Sequence, residues 1–240
     1  MNILITGGAS GLGEAITKKL ASDKKDTVYF TYHKSINNAK SIEATFINAK
    51  GILCNFKSKN DVESLLNFIE NNEFHVLINN AYGSSIEPRH FHKTEYQVFS
   101  DNFNTNIIPV IRITQKVILQ FRKRKFGKII TILSSALIDT PPLGWSEYVA
   151  EKTYLASLCK SWAAENIAFN ITSNSVSPSF MLTNLTHDSD ERVIEDIIQT
   201  HPLKQILTTD EVSDTVLFLS KCSQHINGVN LIMNAGSHVI

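Results

Sequence analysis

Asn2-Ile3-Leu4-Ile5-Thr6-Gly7-Gly8-Ala9-Ser10-Gly11-Leu12-Gly13 is the stretch whose reading decides the fold. Asn2 to Ile5 is a short apolar run of strand type, and Glu14 to Ser22 has the pattern of a helix. Between them Gly7, Gly11 and Gly13 are spaced Gly-x-x-x-Gly-x-Gly. A strand, a glycine-rich turn and a helix N-terminus together make an anion site. Unpaired N–H groups and the positive end of the helix dipole meet where a pyrophosphate can lie. Glycine is needed there because a side chain would keep the backbone from the phosphate and the helix from the strand. Taken alone, the stretch is equally consistent with an ordinary glycine-rich helix start.

Working outward, strand-like and helix-like segments alternate to the end of the chain. Strands are predicted at 27–32, 52–56, 76–78, 128–133, 171–176 and 229–233, and helices at 61–70, 107–121 and 145–164, with another helix starting at Asp210. This is the pattern of an α/β fold: one Rossmann-like, doubly wound parallel sheet with helices on both faces. A chain of 240 residues fits one such domain, 1–240. Lys+Arg and Asp+Glu are equal at 23 each, so no overall field favours nucleic acid or an anionic membrane. The dense basic run Arg122-Lys123-Arg124-Lys125 closes a helical stretch, where it complements the dipole. Cys54, Cys159 and Cys222 match no metal or redox spacing and read as small buried hydrophobes. The pair His90-x-His92 lacks a third ligand at usual spacing, so no metal is expected. No apolar run approaches a membrane span and no leader pattern precedes the first strand, which together predict a cytoplasmic setting.

A second signature decides between the readings of the glycine turn. Tyr148-x-x-x-Lys152 lies on the predicted helix and is preceded by Ser134-Ser135 at the end of a strand. Tyr148 and Lys152 are four apart and so share a helix face. Lowering a phenol from a pKa of about 10 to about 7 takes about 4 kcal/mol. One ammonium at about 4 Å, in an effective dielectric of about 20, supplies that order of energy. With the glycine turn, Asn79-Asn80-Ala81 after the fourth strand, and the polar group ending the third, these motifs stand in register along essentially the whole chain. Together they resemble the short-chain dehydrogenase/reductase family.

That resemblance implies a ketone reductase with Tyr148 as proton donor and Lys152 holding both the phenol and the cofactor ribose. Ser135, thirteen residues before Tyr148, would orient the carbonyl oxygen, and Asn106 would position a water for proton resupply. It further implies a nicotinamide dinucleotide held by Gly7, Ser10, Gly11, Leu12, Gly13, His33, Lys34, Asn55, Phe56, Asn80, Ala81, Tyr148, Lys152, Pro178, Met181 and Thr183. No carboxylate follows the second strand; His33 and Lys34 stand there instead, which predicts NADPH over NADH. Tyr82, Ser179 and Ala235 each replace a family glycine. At Tyr82 two arrangements stay open: a loop shifted by one residue, or a tyrosine enlarging the wall of the site. The polar segment 182–205 resembles the family's substrate-binding insertion, and Asp139-Thr140-Pro141-Pro142 a loop over the substrate. The C-terminal Asn234-Ala235-Gly236 is similar to the end of 3-oxoacyl-acyl-carrier-protein reductases, implying a thioester substrate and a homo-oligomer, tetramer or dimer. A sugar or small-polyol dehydrogenase and a non-catalytic dinucleotide-binding sensor or scaffold are the alternatives.

Overall fold

The computed structural model describes residues 1–84, 88–138, 140–183 and 190–237. One parallel sheet of seven strands runs through it: β1 (Asn2–Ile5), β2 (Thr27–Tyr32), β3 (Ala49–Leu53), β4 (Val76–Asn79), β5 (Gly127–Ile132), β6 (Ile171–Pro178) and β7 (Asn230–Met233). Their spatial order is β3-β2-β1-β4-β5-β6-β7. The order reverses between β1 and β4, and at such a switch point the connections leave a crevice at the carboxyl ends of the strands. The glycine turn and the Asn79-Asn80 stretch both open there.

The central strands are buried on both faces, so alternate residues feed two separate cores. Ile3, Ile5, Val76, Ile78, Ile130 and Ile132 point to one. Helices α1 (Gly11–Ala21), α2 (Ile36–Thr45) and α8 (Thr209–Lys221) cover it with Ile16, Leu20, Ile42, Val212, Val216 and Leu219. Leu4, Leu77 and Ile129 point to the other. There α3 (Lys59–Asn71), α5 (Ile108–Arg124) and α6 (Ser146–Asn166) contribute Leu65, Ile69, Ile113, Val117, Phe121, Leu155 and Trp162. Short helices α4 (Tyr96–Asn102) and α7 (Glu191–Thr200) complete the described elements. Thr208 and Glu211 form a reciprocal capping box that starts α8.

Several boundaries differ from the sequence reading. The third strand is Ala49–Leu53 and not 52–56, which leaves Asn55 and Phe56 in the turn beyond it. It is an edge strand with a single neighbour, so its residues need not be uniformly apolar, and the apolar run marks its end. β6 runs on to Pro178, paired with Met233 of β7. Helices α2 and α4 carry too little apolar periodicity to be read, while α7, with Val193, Ile194, Ile197 and Ile198 at helical spacing, lies in the segment read as a polar insertion. Segments 85–87, 184–189 and 238–240, and Asp139, lie outside the described residues; the expected substrate loop and insertion fall partly there. The basic run is used internally: Arg122 Nε donates to Asn166 Oδ1 at 2.7 Å, and Arg124 pairs with Glu73. Cys54, Cys159 and Cys222 are free thiols, the first two buried.

His75 fixes the start of the sheet: its Nδ1 accepts the Asn2 N–H at 3.0 Å. Burial, reinforced by the Arg124 charge, lowers its pKa from the ordinary 6.5. The folded state therefore prefers neutral imidazole. This contribution is complete above about pH 6.5 and fades as pH falls through the lowered folded value. The melting temperature is expected to drop more steeply below pH 6.5 in the native chain than in His75→Asn, which keeps an acceptor but cannot titrate. Parallel pH–melting curves would refute this.

Candidate active site

The glycine turn is built for a bare backbone. Gly7 has φ +67°, and a Cβ there would stand 2.9 Å from Ala81 Cα. A Cβ on Gly13 would stand 1.9 Å from Gly7 O and 2.6 Å from Asn80 Nδ2. Ser10 caps α1 without a side-chain hydrogen bond, so the first N–H groups of the helix, from Gly11, Leu12 and Gly13, keep no intrahelical partner. Thr6 and Asn80 lock the loop from below. Thr6 Oγ1 accepts the N–H groups of Asn80 and Ala81, each at 3.0 Å, and Asn80 Nδ2 donates to Thr6 O and Gly7 O, each at 3.0 Å. These features suit a pyrophosphate. Asn79 Nδ2 reaches across to Thr114 Oγ1 at 3.1 Å and ties β4 to α5.

His33 and Lys34 follow β2 and are exposed. Asn55 is turned inward to its own loop: its N–H donates to Asp61 Oδ2 at 2.9 Å, while its Oδ1 accepts the Lys57 N–H at 3.0 Å. Phe56 packs against the α3 side of the core, Met181 packs against the α1 side, and Pro178 ends β6. Thr183 is the last described residue before the gap at 184–189.

α6 carries Tyr148 and Lys152 into the crevice, 7% and 6% exposed. The Tyr148 ring is gripped edge-on by Tyr82 and Trp145, with centroids 5.3 and 5.5 Å away. Lys152 Nζ donates to Ile132 O on β5 at 2.9 Å and lies 5.7 Å from the centre of the Tyr148 ring. Burial brings this ammonium down to a pKa of about 8, against a raising pull from Glu151.

Three sequence expectations meet the geometry here. The serine that lies against the Tyr148 phenol is Ser134. Ser135 begins the 3-10 turn Ser135–Leu137, whose N-cap is Ser134. Counting back thirteen residues from Tyr148 selects Ser135, whereas counting forward from the end of β5 selects Ser134. Second, the phenol is not lowered in the protein alone. Burial raises it and Glu151 adds to that, with only the Ser134 hydrogen bond opposing. The Lys152 hydrogen bond goes to the main-chain carbonyl of Ile132. Third, Asn106 lies in a π-helical turn, Phe103–Ile107, and its side-chain amide donates to Ser84 Oγ at 3.2 Å and to Glu151 Oε2 at 3.1 Å.

Tyr82 forms part of the wall, edge-on to Tyr148, and Gly83 beside it donates its N–H to Asn106 Oδ1 at 2.9 Å. Its added Cβ would meet Thr105 Cγ2 at 2.9 Å. Ala235 takes a left-handed φ of 53°, the conformation for which the family glycine is suited. Glu151, Ser84 and Asn102 are the polar residues around the site that the sequence reading passed over. The available signal was an acid beside Lys152 on the inward face of α6. His90 and His92 stack at 5.9 Å, and among the described residues no group of three ligands could hold a metal.

Fold and site define a dinucleotide-binding oxidoreductase: a glycine turn at the switch point, with a tyrosine and a lysine at its mouth. A family model described as short chain dehydrogenase matches residues 1–193, and the chain belongs to that family. It is 30% identical over 240 residues to the 3-oxoacyl-[acyl-carrier-protein] reductase of Buchnera aphidicola subsp. Acyrthosiphon pisum, covering 98% of this chain and 96% of that one. Among solved structures it is similar to the 3-ketoacyl-(acyl-carrier-protein) reductase of Brucella melitensis complexed with NADH. There the TM-score is 0.88 at 22% identity, over 99% of this chain and 98% of that one. An NADPH dependent reductase involved in bacilysin biosynthesis superposes with a TM-score of 0.89 at 20% identity, over 100% and 99% of the two chains.

Proposed function

We propose that this protein reduces a ketone to a secondary alcohol, uses NADPH in preference to NADH, and acts on a 3-oxoacyl thioester. The observation that carries the reading is the Tyr148 phenol, buried at the crevice mouth with Ser134 on its hydroxyl and Lys152 beneath. When bound, the dinucleotide supplies the hydride. Tyr148 then donates its proton to the oxygen of the reduced carbonyl. Ser134, in place of Ser135, holds that oxygen in line, and Lys152 favours release of the proton and holds the ribose hydroxyls. Gly7, Ser10, Gly11, Leu12 and Gly13 would bind the pyrophosphate through their backbone.

Exposed His33 and Lys34, with no carboxylate on the same loop, support a 2′-phosphate over a bare hydroxyl. The similarity to 3-oxoacyl-carrier-protein reductases supports the thioester, and free thiols suit a reducing cytoplasm. Exposed apolar side chains on α8 and β7, Phe218 and Ile232, support a dimer or tetramer.

The test is oxidation of NADPH and of NADH against acetoacetyl thioesters, ketosugars and aromatic ketones. The expected result is at least about tenfold higher kcat/KM for the thioester with NADPH, about 1.4 kcal/mol in transition-state binding. Preference for a ketosugar, or equal efficiency with NADH, would overturn the substrate or the cofactor assignment respectively.

A further inference from the structure

Tyr82 stands where the family resemblance places a glycine, and the loop after β4 fixes the backbone on either side of it. The Ala81 N–H is held by Thr6 Oγ1 at 3.0 Å, and the Gly83 N–H by Asn106 Oδ1 at 2.9 Å. With both flanking amides pinned, the ring is presented to α6. It meets the Tyr148 ring at 5.3 Å between centroids and 78°, an edge-to-face pair. Lys152 Nζ lies 5.5 Å from the centre of the Tyr82 ring and 5.7 Å from that of Tyr148. The three centres form a nearly equilateral triangle, with the ammonium in the corner between two aromatic faces.

That corner meets a need. Lys152 is buried, and its ammonium carries three N–H donors. One of them goes to Ile132 O at 2.9 Å. Among the described residues Lys152 makes no ion pair and no other hydrogen bond. A buried charge with so few partners is costly. The negative face of an aromatic ring within about 6 Å attracts a cation, and more strongly where water is excluded.

We infer that Tyr82 is a positioning residue for Lys152, its ring face holding the ammonium charged and seated against Tyr148. A glycine at this place would leave the ammonium one aromatic face in place of two. Burial brings Lys152 down to a pKa of about 8, and the Tyr82 ring opposes that fall. The other titratable groups facing the ammonium are Tyr148, Glu151 and Cys159, all on α6. The Tyr82 hydroxyl is buried beside the Glu151 carboxylate and makes no hydrogen bond of ordinary geometry among the described residues. Ring and hydroxyl can therefore be tested separately.

The inference rests on Lys152 serving the reaction, but its first readout does not use activity. That readout is the pH titration of the lysine side-chain NMR signals in the cofactor-free protein, with Lys152 identified by its loss in Lys152→Arg. Tyr82→Leu keeps the wall apolar and removes the aromatic face. There Lys152 is expected to lose its proton at lower pH by at least about half a unit, the scale of one cation–π contact. Tyr82→Phe, which keeps the face and drops the hydroxyl, is expected to stay near the native curve. A trifluorinated phenylalanine at position 82 keeps the ring's shape but withdraws charge from its face, and is expected to follow Tyr82→Leu. Coinciding curves for phenylalanine and its fluorinated form overturn the inference. So does a shift in Tyr82→Phe as large as that in Tyr82→Leu. Should Tyr82→Leu fail to fold, the phenylalanine pair decides alone. The second readout is the pH profile of NADPH-dependent reduction, whose basic limb is expected to move to lower pH with the fluorinated ring and not in Tyr82→Phe. If the Lys152 signal moves and that limb does not, the aromatic corner stands and the functional reading fails.

Discussion

Turnover of Tyr148→Phe is expected to fall by about 10²–10⁴-fold, the usual contribution of a positioned general acid. Dinucleotide binding should survive, because the backbone donors of the glycine turn and the Lys152–Ile132 clamp do not involve the phenol oxygen. The ring contacts with Tyr82 and Trp145 are made by carbon atoms and persist in phenylalanine. Stability should therefore change little. Only the hydroxyl bonded to Ser134 is lost, and with it the proton that the reduced carbonyl oxygen must receive. Single-turnover reduction, with dinucleotide affinity measured in parallel, separates the two effects. Near-normal turnover would remove Tyr148 as the acid.

Gly13→Ala is expected to destabilise the chain strongly and to weaken dinucleotide binding together. The new carbon would overlap Gly7 O at 1.9 Å and crowd Asn80 Nδ2 at 2.6 Å, both locked in place. Neither is the far end of a flexible side chain. The Asn80 bridge to Thr6 and Gly7 must break, or α1 must back away from β1, taking Ile16 and Leu20 out of the core. A cost of about 3 kcal/mol is the scale for overpacking of this kind. For a chain of this length that lowers the melting temperature by about 6–12 °C. Dinucleotide affinity should fall in the same variant, since the displaced backbone is the anion site. A melting temperature within a degree of the native value would show that the turn can yield.

The legible parts were those fixed by short-range rules. Gly7 and Gly13 could be read because only a missing side chain satisfies so close an approach. Tyr148 and Lys152 could be paired because helical periodicity puts them on one face. The central strands β1, β4 and β5 were found as apolar runs, since a parallel strand buried on both faces admits little else. What lay out of reach depended on distance in space. Ser134 and Ser135 differ by which way a turn leaves β5, and residue counting from Tyr148 does not contain that information. Glu151 looks in sequence like any polar position on a helix; only the approach of Asn106 and Tyr82 from other elements makes it a buried acid. The anchor of Lys152 was out of reach for a related reason: its hydrogen bond goes to Ile132 O, a main-chain atom that no side-chain pattern marks.

That last attachment has an evolutionary meaning. Because the ammonium is tied to main chain and not to a side chain, any amino acid at position 132 that keeps the strand will serve equally well. Mutational drift in the lining of the cleft can thus retarget the enzyme to new molecules while Lys152 remains anchored by the scaffold.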